Sequence, residues 1–158
     1  MADRVPMRPS GYATLEAELK RLKSVERHKI VKEIEIARAH GDISENAEFH
    51  AAKERQSHIE GRITQLEDRL ARAQVIDATG QSPDAVRFGA TVQLADAESG
   101  DEVTYTIVGE DEADVSKGLI SVVAARVMDV LGKPIDEFVT VQVPRGSRSF
   151  EIRSIRFE

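Results

Sequence analysis

The first half of the chain carries an apolar stripe with helical spacing. From residue 49 to residue 73 the stripe is unbroken and advances by alternating steps of three and four, through Phe49, Ala52, Gln56, Ile59, Ile63, Leu66, Leu70 and Ala73. Residues 12–37 show the same spacing, with one skip between Leu22 and Ile30. Such steps are typical of a coiled coil, in which one narrow face is buried and the other faces are polar. The pattern predicts two long helices that pack along a single seam.

The two stripes match when the chain is folded back on itself. Facing residues of an antiparallel hairpin have a constant sum of residue numbers. Six apolar pairs have sums of 88 or 89: Leu15–Ala73, Leu19–Leu70, Leu22–Leu66, Val25–Ile63, Ile30–Ile59 and Ala37–Ala52. The turn then centres near Ser44, and Gly41 suits the left-handed conformation that often follows a helix end. About 30 residues per helix, at ~1.5 Å per residue, predict an arm of about 45 Å. The alternative, two helices packed on a globular core, is disfavoured because the polar faces leave only one stripe to bury.

The second half of the chain has short runs that favour β-strands. The runs are Ala90–Ala95, Val103–Val108, Phe138–Val143 and Ser149–Phe157. Turn residues at 99–102 and 144–147 join them in pairs, and a short helix is predicted at Val123–Leu131. We therefore predict an α+β fold. Residues 1–77 form an antiparallel coiled-coil arm with its tip near 41–48, residues 78–84 a linker, and residues 85–158 a small antiparallel sheet with a helix.

Composition narrows the function. The chain has 158 residues, a net charge of −6 and no cysteine. These values argue against coating of nucleic acid by bulk charge, a disulfide framework and zinc–thiolate chemistry. The absence of Trp and the 4% aromatic content argue against platforms that stack bases. No apolar run approaches the ~20 residues of a membrane span, and the N-terminus lacks a signal-peptide core, so we expect a cytoplasmic protein.

The predicted turn, Gly41–Glu48, concentrates carboxylates at the end of the arm. An arm of this kind can deliver charge to a place that the body of the protein does not reach. Asp42 and Glu45 also have the spacing of a capping box, so both could simply start the second helix. Carboxylates there would suit the positive end of the helix dipole. The residues alone leave capping and a functional role open.

The run Gly41–Glu54 closely resembles the tip signature of the bacterial Gre transcript-cleavage factors, of the GreA type. Matching stretches at residues 22–25, 60–63, 73–77, 88–92 and 107–114 extend the resemblance over nearly the whole chain. The resemblance implies a coiled-coil arm followed by a domain like that of FK506-binding proteins (FKBP-like). It also implies a transcription elongation factor that binds bacterial RNA polymerase at its secondary channel and rescues arrested complexes. The factor would stimulate the polymerase's own cleavage of backtracked RNA and would not be an enzyme by itself.

The same resemblance implies roles for individual residues. Asp42 and Glu45 would share a Mg²⁺ ion of the polymerase active site, one holding the metal and one positioning or deprotonating the attacking water. Mg²⁺ takes oxygen ligands and often only one or two protein carboxylates. Two carboxylates supplied by a second protein would therefore be enough to hold the ion. The residues expected to support the tip are Asn46, Glu48, Phe49 and His50. The protein would have no cofactor of its own.

Basic residues flank the tip: Arg38, His40, Lys53 and Arg55. They would contact phosphates of the displaced RNA or, alternatively, pair with nearby surface acids, namely Glu35, Glu48 and Glu54. The implied partners are the polymerase and the 3′ end of the nascent RNA. Neither a membrane nor a small-molecule substrate is expected, and the protein would associate with the nucleoid only through the polymerase.

Three alternatives stay open. A related channel occupant could block the polymerase without cleavage, although such a protein would be expected to alter the tip acids. A prolyl isomerase would need an apolar aromatic pocket, which the scarcity of aromatic residues disfavours. A coiled-coil adaptor would depend on the stripe and not on the tip. Departures from the family pattern at His28, at residues 122–126 and at residues 144–146 concern the shaft and the globular domain.

Overall fold

A computed structural model describes residues 4–41, 46–143 and 146–157. Its contacts divide the chain into a helical unit, Tyr12–Arg72, and a second unit formed by the residues up to Gly11 together with the chain from Ala73 onward. The helical unit is thus shorter at both ends than the predicted arm of residues 1–77. The reason is a parallel pairing of two short strands, Val5–Met7 (β1) and Ala73–Val75 (β2), within the second unit.

The helical unit is a hairpin. We call its two antiparallel halves, residues 12–38 and Ala47–Arg72, the helical strands. The elements of the hairpin are α1 (Pro9–Arg21), which belongs to this unit from Tyr12 onward, a π-helical segment (Leu22–Glu26), α2 (Arg27–Arg38) and α3 (Ala47–Arg72). The 26 residues of α3 span about 39 Å at ~1.5 Å per residue. Within the described ranges, no helix is long and apolar enough to cross a membrane.

The π-helical segment lies where the apolar stripe skips. A π-turn holds more residues than an α-turn, so it absorbs the extra spacing between Leu22 and Ile30. Leu15, before the segment, and Ile30, after it, are both buried. Val25, inside the segment, is 50% exposed, so the predicted pairing of Val25 with Ile63 is wrong. The change of helical pitch turns this side chain away from the seam.

The seam between the two helical strands is apolar and narrow. Ile30, Ile34 and Ala52 form a buried cluster, against which Phe49 and Ile59 pack. Ile59, the predicted partner of Ile30, thus packs against the cluster that contains Ile30. Two further seam residues, Ile63 and Leu66, are almost wholly buried. Burial of one stripe per helix is the main stabilisation of such a hairpin.

Ion pairs flank the seam and link the two helical strands. They are Lys23–Glu67 at 3.5 Å, Arg27–Glu60 at 2.8 Å and Glu33–Arg55 at 2.6 Å. All three lie within two residues of the predicted register. Arg62 makes a fourth, two-pronged pair with Glu18, at 2.7 and 2.9 Å. Exposed pairs of this kind contribute little stability each, but the first three, which follow the predicted register, together disfavour a shifted one.

The second unit contains a five-stranded sheet with the order β5-β4-β3-β7-β6. Its elements are β3 (Thr91–Asp96), β4 (Glu102–Val108), β5 (Leu119–Ser121), α4 (Ala125–Val130), β6 (Phe138–Val143) and β7 (Gly146–Arg156). The predicted pairs β3–β4 and β6–β7 are antiparallel, as expected. The four strands β4-β3-β7-β6 form the predicted antiparallel sheet, and the short strand β5 adds a parallel pairing with β4 that was not predicted, so the sheet is mixed. A strand of three residues is too short to show the alternation that reveals a strand in a sequence.

The core of this unit lies between the sheet and α4. Val127 and Val130 of α4 belong to one buried cluster with Val92, Ile107 and Ile152 of the central strands. The helix runs from Ala125 to Val130 and is therefore shorter than the predicted Val123–Leu131.

Glu112 ties the N-terminal segment to the rest of the second unit. Its side chain is only 3% exposed, and its carboxylate accepts hydrogen bonds from the Arg8 N–H at 3.0 Å, the Arg8 Nε at 2.9 Å and the Gly109 N–H at 2.8 Å. A Cβ atom on Gly109 would lie 2.0 Å from the carbonyl oxygen of Pro6, so the close approach requires glycine. These contacts explain why residues 4–11 belong to this unit.

The seam makes a direct prediction about stability. Leu66 is fully buried, so Leu66→Ala should lower the free energy of unfolding by about 2–5 kcal/mol through lost apolar contacts and a residual cavity. Urea unfolding followed by circular dichroism measures this. Val25→Ala, at a half-exposed position of the partner strand, is the control and should cost about 1 kcal/mol or less. Equal losses for the two variants would refute the burial of the seam described here.

Candidate functional site

The predicted tip lies between the end of α2 and the start of α3. After Arg38 the chain leaves the helix in a turn, in which the His40 N–H donates to the Ala37 carbonyl at 3.2 Å. Gly41 has a φ of 116°, which confirms the expected positive-φ glycine at this helix end. Asp42 and Glu45, the two predicted catalytic and metal-binding acids, lie outside the described residues.

Asn46 is the cap of α3 and also contacts α2. Its Oδ1 accepts a hydrogen bond from the Phe49 N–H at 3.0 Å, which is the usual bond of an N-cap side chain. Its Nδ2 donates to the carbonyl oxygen of Ala37 at 2.5 Å. The described N-cap bond of α3 therefore comes from Asn46, and the helix start does not need Asp42 or Glu45 to account for it. The sequence predicted only a supporting role for Asn46. Its bond to Ala37, nine residues earlier in the chain, forms only when the two helices pack together, so no local pattern indicates it.

The aromatic residue of the predicted tip is part of the hairpin's packing. Phe49 is half-buried and packs on the cluster of Ile30, Ile34 and Ala52. The Arg38 guanidinium lies 5.8 Å from the centre of its ring, a cation–π distance. The His50 ring meets it edge-on, with 5.6 Å between ring centres. Phe49 thus links the ends of α2 and α3 and orients Arg38.

The flanking basic residues divide into two groups. Arg55 forms the 2.6 Å ion pair with Glu33 across the hairpin. It therefore pairs with an acid, but not with Glu35, Glu48 or Glu54, the partners that the sequence suggested. Lys53 donates to the Gln56 amide oxygen at 3.1 Å and is exposed. Arg38 and His40 are also exposed. All four side chains are therefore exposed beside the tip, and what distinguishes Arg55 is its ion pair across the hairpin.

The remaining acid of the tip, Glu48, is exposed in the first turn of α3. A carboxylate there interacts favourably with the positive end of the helix dipole. Within residues 4–41, 46–143 and 146–157, no group of three or more His, Cys, Asp and Glu side chains forms a metal site. A carboxylate pair such as Asp42 and Glu45 suits a hard cation whose other ligands come from a second macromolecule.

Arginine partners lower the pKa of two carboxylates on the hairpin. The pKa of Glu60 lies below its usual value chiefly because Arg27 donates to it. The pKa of Glu18 is lowered mainly by the hydrogen bond from Arg62. Both effects favour the charged, paired form of the hairpin at neutral pH.

The second unit contains an apolar cavity of about 540 Å³ between its sheet and α4. Tyr105, Ile120 and Phe150, all half-buried, contribute to its wall. The buried carboxylate of Asp96, which pairs with Arg148, also lines it. Hydrogen bonds from the Glu98 and Ser99 N–H groups lower the pKa of Asp96 and keep it charged. The scarcity of aromatic residues thus does not prevent an apolar pocket in this unit.

Comparisons with known proteins agree over the whole chain. Residues 5–75 match the family model described as "Transcription elongation factor, N-terminal", and residues 81–157 match "Transcription elongation factor, GreA/GreB, C-term". A transcription elongation factor GreA from Anaeromyxobacter sp. (strain K) is 58% identical, with 98% of this chain and 93% of the relative aligned. A GreA from Hyphomonas neptunium is 53% identical, with 99% of both chains aligned.

Solved structures of similar proteins include the GreA factor homolog 1 (Gfh1) of Thermus thermophilus. It is 26% identical, with 97% of this chain and 99% of that chain covered and a TM-score of 0.44. A GreA/GreB elongation factor from Nitrosomonas europaea is 21% identical, with 98% and 100% coverage and a TM-score of 0.45.

The lowered pKa values predict how the hairpin responds to acid. A carboxylate whose pKa is lower in the folded state than its unfolded value of 4.5 stabilises the fold above that value and ceases to do so as pH falls through the folded pKa. The melting temperature should therefore drop as pH is lowered below 4.5. In Glu18→Gln/Glu60→Gln this drop should be smaller, as measured by thermal melts over a pH series. A variant that follows the wild-type pH dependence would show that these two pairs do not contribute to it.

Proposed function

The chain belongs to the GreA/GreB family of transcription elongation factors, and we propose that it stimulates bacterial RNA polymerase to cleave backtracked RNA. The observation that carries the proposal is the closure of the hairpin. The side chain of Asn46 joins the end of α2 to the start of α3. Asp42 and Glu45 lie in the sequence between these two helix ends, and α3 is about 39 Å long. Slender helices that end in acids suit delivery of carboxylates into a narrow channel.

The proposed role of Asp42 and Glu45 is to lend carboxylates to a Mg²⁺ ion of the polymerase. That ion would supply Lewis-acid stabilisation and a more acidic bound water for hydrolysis of the phosphodiester. The chemistry therefore belongs to the polymerase, and this protein would have no cofactor of its own. One acid would hold the metal and the other would position or deprotonate the water.

The proposed role of the exposed basic groups beside the tip is to hold the displaced RNA. Arg38, His40 and Lys53 present their side chains to solvent, and Phe49 orients the Arg38 guanidinium. Charged groups at such positions attract phosphates through space and through charge-assisted hydrogen bonds. Arg55 contributes less to this role, because its guanidinium is already paired with Glu33.

The second unit is the proposed docking domain on the polymerase, at the rim of the secondary channel. Its cavity of about 540 Å³ combines apolar walls with a few polar groups, which is typical of binding sites. The protein would act in the cytoplasm and would be associated with the nucleoid only through the polymerase. A channel blocker would bind in the same way without stimulating cleavage, and a prolyl isomerase would use the cavity for catalysis on peptides.

The test is RNA cleavage in stalled, backtracked elongation complexes. Asp42→Asn/Glu45→Gln should abolish stimulated cleavage, while polymerase binding and the melting temperature stay close to the wild type. Glu35→Gln/Glu54→Gln is the matched control, because it removes the same charge from exposed positions of the two helices. Binding by the wild type without shortened RNA would support the channel blocker instead. Parallel loss of binding and cleavage in the tip variant would contradict the proposed loan of metal ligands.

A further inference from the structure

The side chain of Asn46 connects the two helices at the tip end of the hairpin. We propose that Asn46 is a positioning residue for RNA cleavage: its amide fixes the separation of the two chain ends between which Asp42 and Glu45 lie. This inference rests on the proposed function and adds a residue that acts through those acids without touching the metal or the RNA. It is carried by the two hydrogen bonds of one side chain, to the carbonyl of Ala37 and to the N–H of Phe49.

The geometry requires a side chain that donates and accepts at the same time. The Phe49 N–H belongs to the first turn of α3, where backbone donors have no partner within the helix. The Ala37 carbonyl belongs to the last turn of α2 and already accepts from the His40 N–H, which leaves its second lone pair for Nδ2. Asp would keep the cap bond but has no donor when ionised. A Ser hydroxyl can both accept and donate, but through a single atom that the cap bond holds against the start of α3. Among the common N-cap residues, Asn carries its donor and its acceptor on two separate atoms, so that one side chain can bond to both helices.

The packing around Asn46 makes this bridge possible. Ala37 and Ala52, at 3% and 1% exposure, face the seam next to the tip, and their small side chains let the two helices approach closely. Asn46 is itself half-buried, so water competes less for its two hydrogen bonds. Gly41, at the other end of the connection, stays close to α2, with its N–H 3.5 Å from the Arg38 carbonyl. Both ends of the segment that carries the acids are thus anchored to the same last turn of α2.

A positioning role and a simple capping role predict different results. A cap acts on helix stability, and Ser is about as good a cap as Asn. Positioning acts on the spacing of the two acids, and a misplacement of about 1 Å can lower a rate by about a hundredfold. Asn46→Ser separates the two roles, because it keeps an acceptor for the Phe49 N–H and removes the amide Nδ2 that bonds to the Ala37 carbonyl. Asn46→Ala removes both.

The first measurement is independent of activity. Asn46 is the only asparagine in the chain, so protein labelled with ¹⁵N on asparagine side chains gives a single pair of amide resonances. A bridge to Ala37 predicts that these protons exchange slowly with solvent and that their shifts depart from those of a free asparagine. Free-asparagine shifts with fast exchange would overturn the proposal.

The second measurement is cleavage by full-length protein in backtracked complexes, far below the melting temperature. For Asn46→Ser we expect a rate at saturating factor that is lower by about tenfold or more. The factor concentration for half-maximal cleavage should change by less than about twofold, since binding is not affected. The Mg²⁺ concentration for half-maximal rate should shift upward, because misplaced carboxylates hold the ion less well. A residue that only caps the helix would not cause this shift.

Controls keep the outcomes distinct. Ser57→Ala, at an exposed position of the same helix, should match the wild type in every measurement. Asn46→Ala should resemble Asn46→Ser in cleavage but melt at a lower temperature. Wild-type cleavage rate and Mg²⁺ dependence in Asn46→Ser would overturn the positioning role while leaving the proposed function intact. Undiminished cleavage by Asp42→Asn/Glu45→Gln would instead overturn the proposed function.

Discussion

The register between two helical strands is the constraint on which the hairpin depends. Each strand has one apolar stripe, so only an alignment that brings the stripes together buries enough surface to hold a slender arm. The cluster of Ile30, Ile34 and Ala52 sets this alignment, and the ion pairs beside it disfavour a slip. The same alignment brings the ends of α2 and α3 close enough for the amide of Asn46 to bond to both. A shift of one helical turn would move Ala37 about 5 Å away from Asn46 and break this bridge.

Long periodic elements could be predicted from the sequence, and short ones could not. The stripe of α3 repeats over many turns, and β6 and β7 alternate over several residues, so each pattern contains enough repeats to identify its period. The strands β1, β2 and β5 have only three residues each and no period of their own. They form because of contacts that are distant in the sequence, such as those of Glu112 with Arg8. The skip before Ile30 was visible, but the π-helical segment that absorbs it depends on the opposing helix.

The residues of the candidate site could be predicted from the sequence, but the hydrogen bonds and ion pairs around them could not. Asp42 and Glu45 could not be separated from helix caps by spacing alone, since capping and metal binding both use short acidic side chains near a helix start. The resemblance to the Gre factors favoured a functional role, and the cap bond from Asn46 removes one reason to treat the acids as structural. The pairing of Arg55 with Glu33 follows the predicted register, but acids closer to Arg55 in the sequence were considered as its partners, and Glu33 lies 22 residues away.

Stability and proposed chemistry are assigned to different side chains of the hairpin, and this separation has a physical basis. Clustered carboxylates repel each other, and burial would disfavour their charged form further. Such acids are therefore unsuited to the buried positions of the seam. Near the start of α3 the helix dipole offsets part of this repulsion, and it does so for Glu48 in the first turn. The seam ends next to this point in small residues, Ala37 and Ala52, and a neutral amide, Asn46, completes the closure without adding charge. Within the described residues, the seam and the cap bond of α3 are thus formed without the acids of the tip.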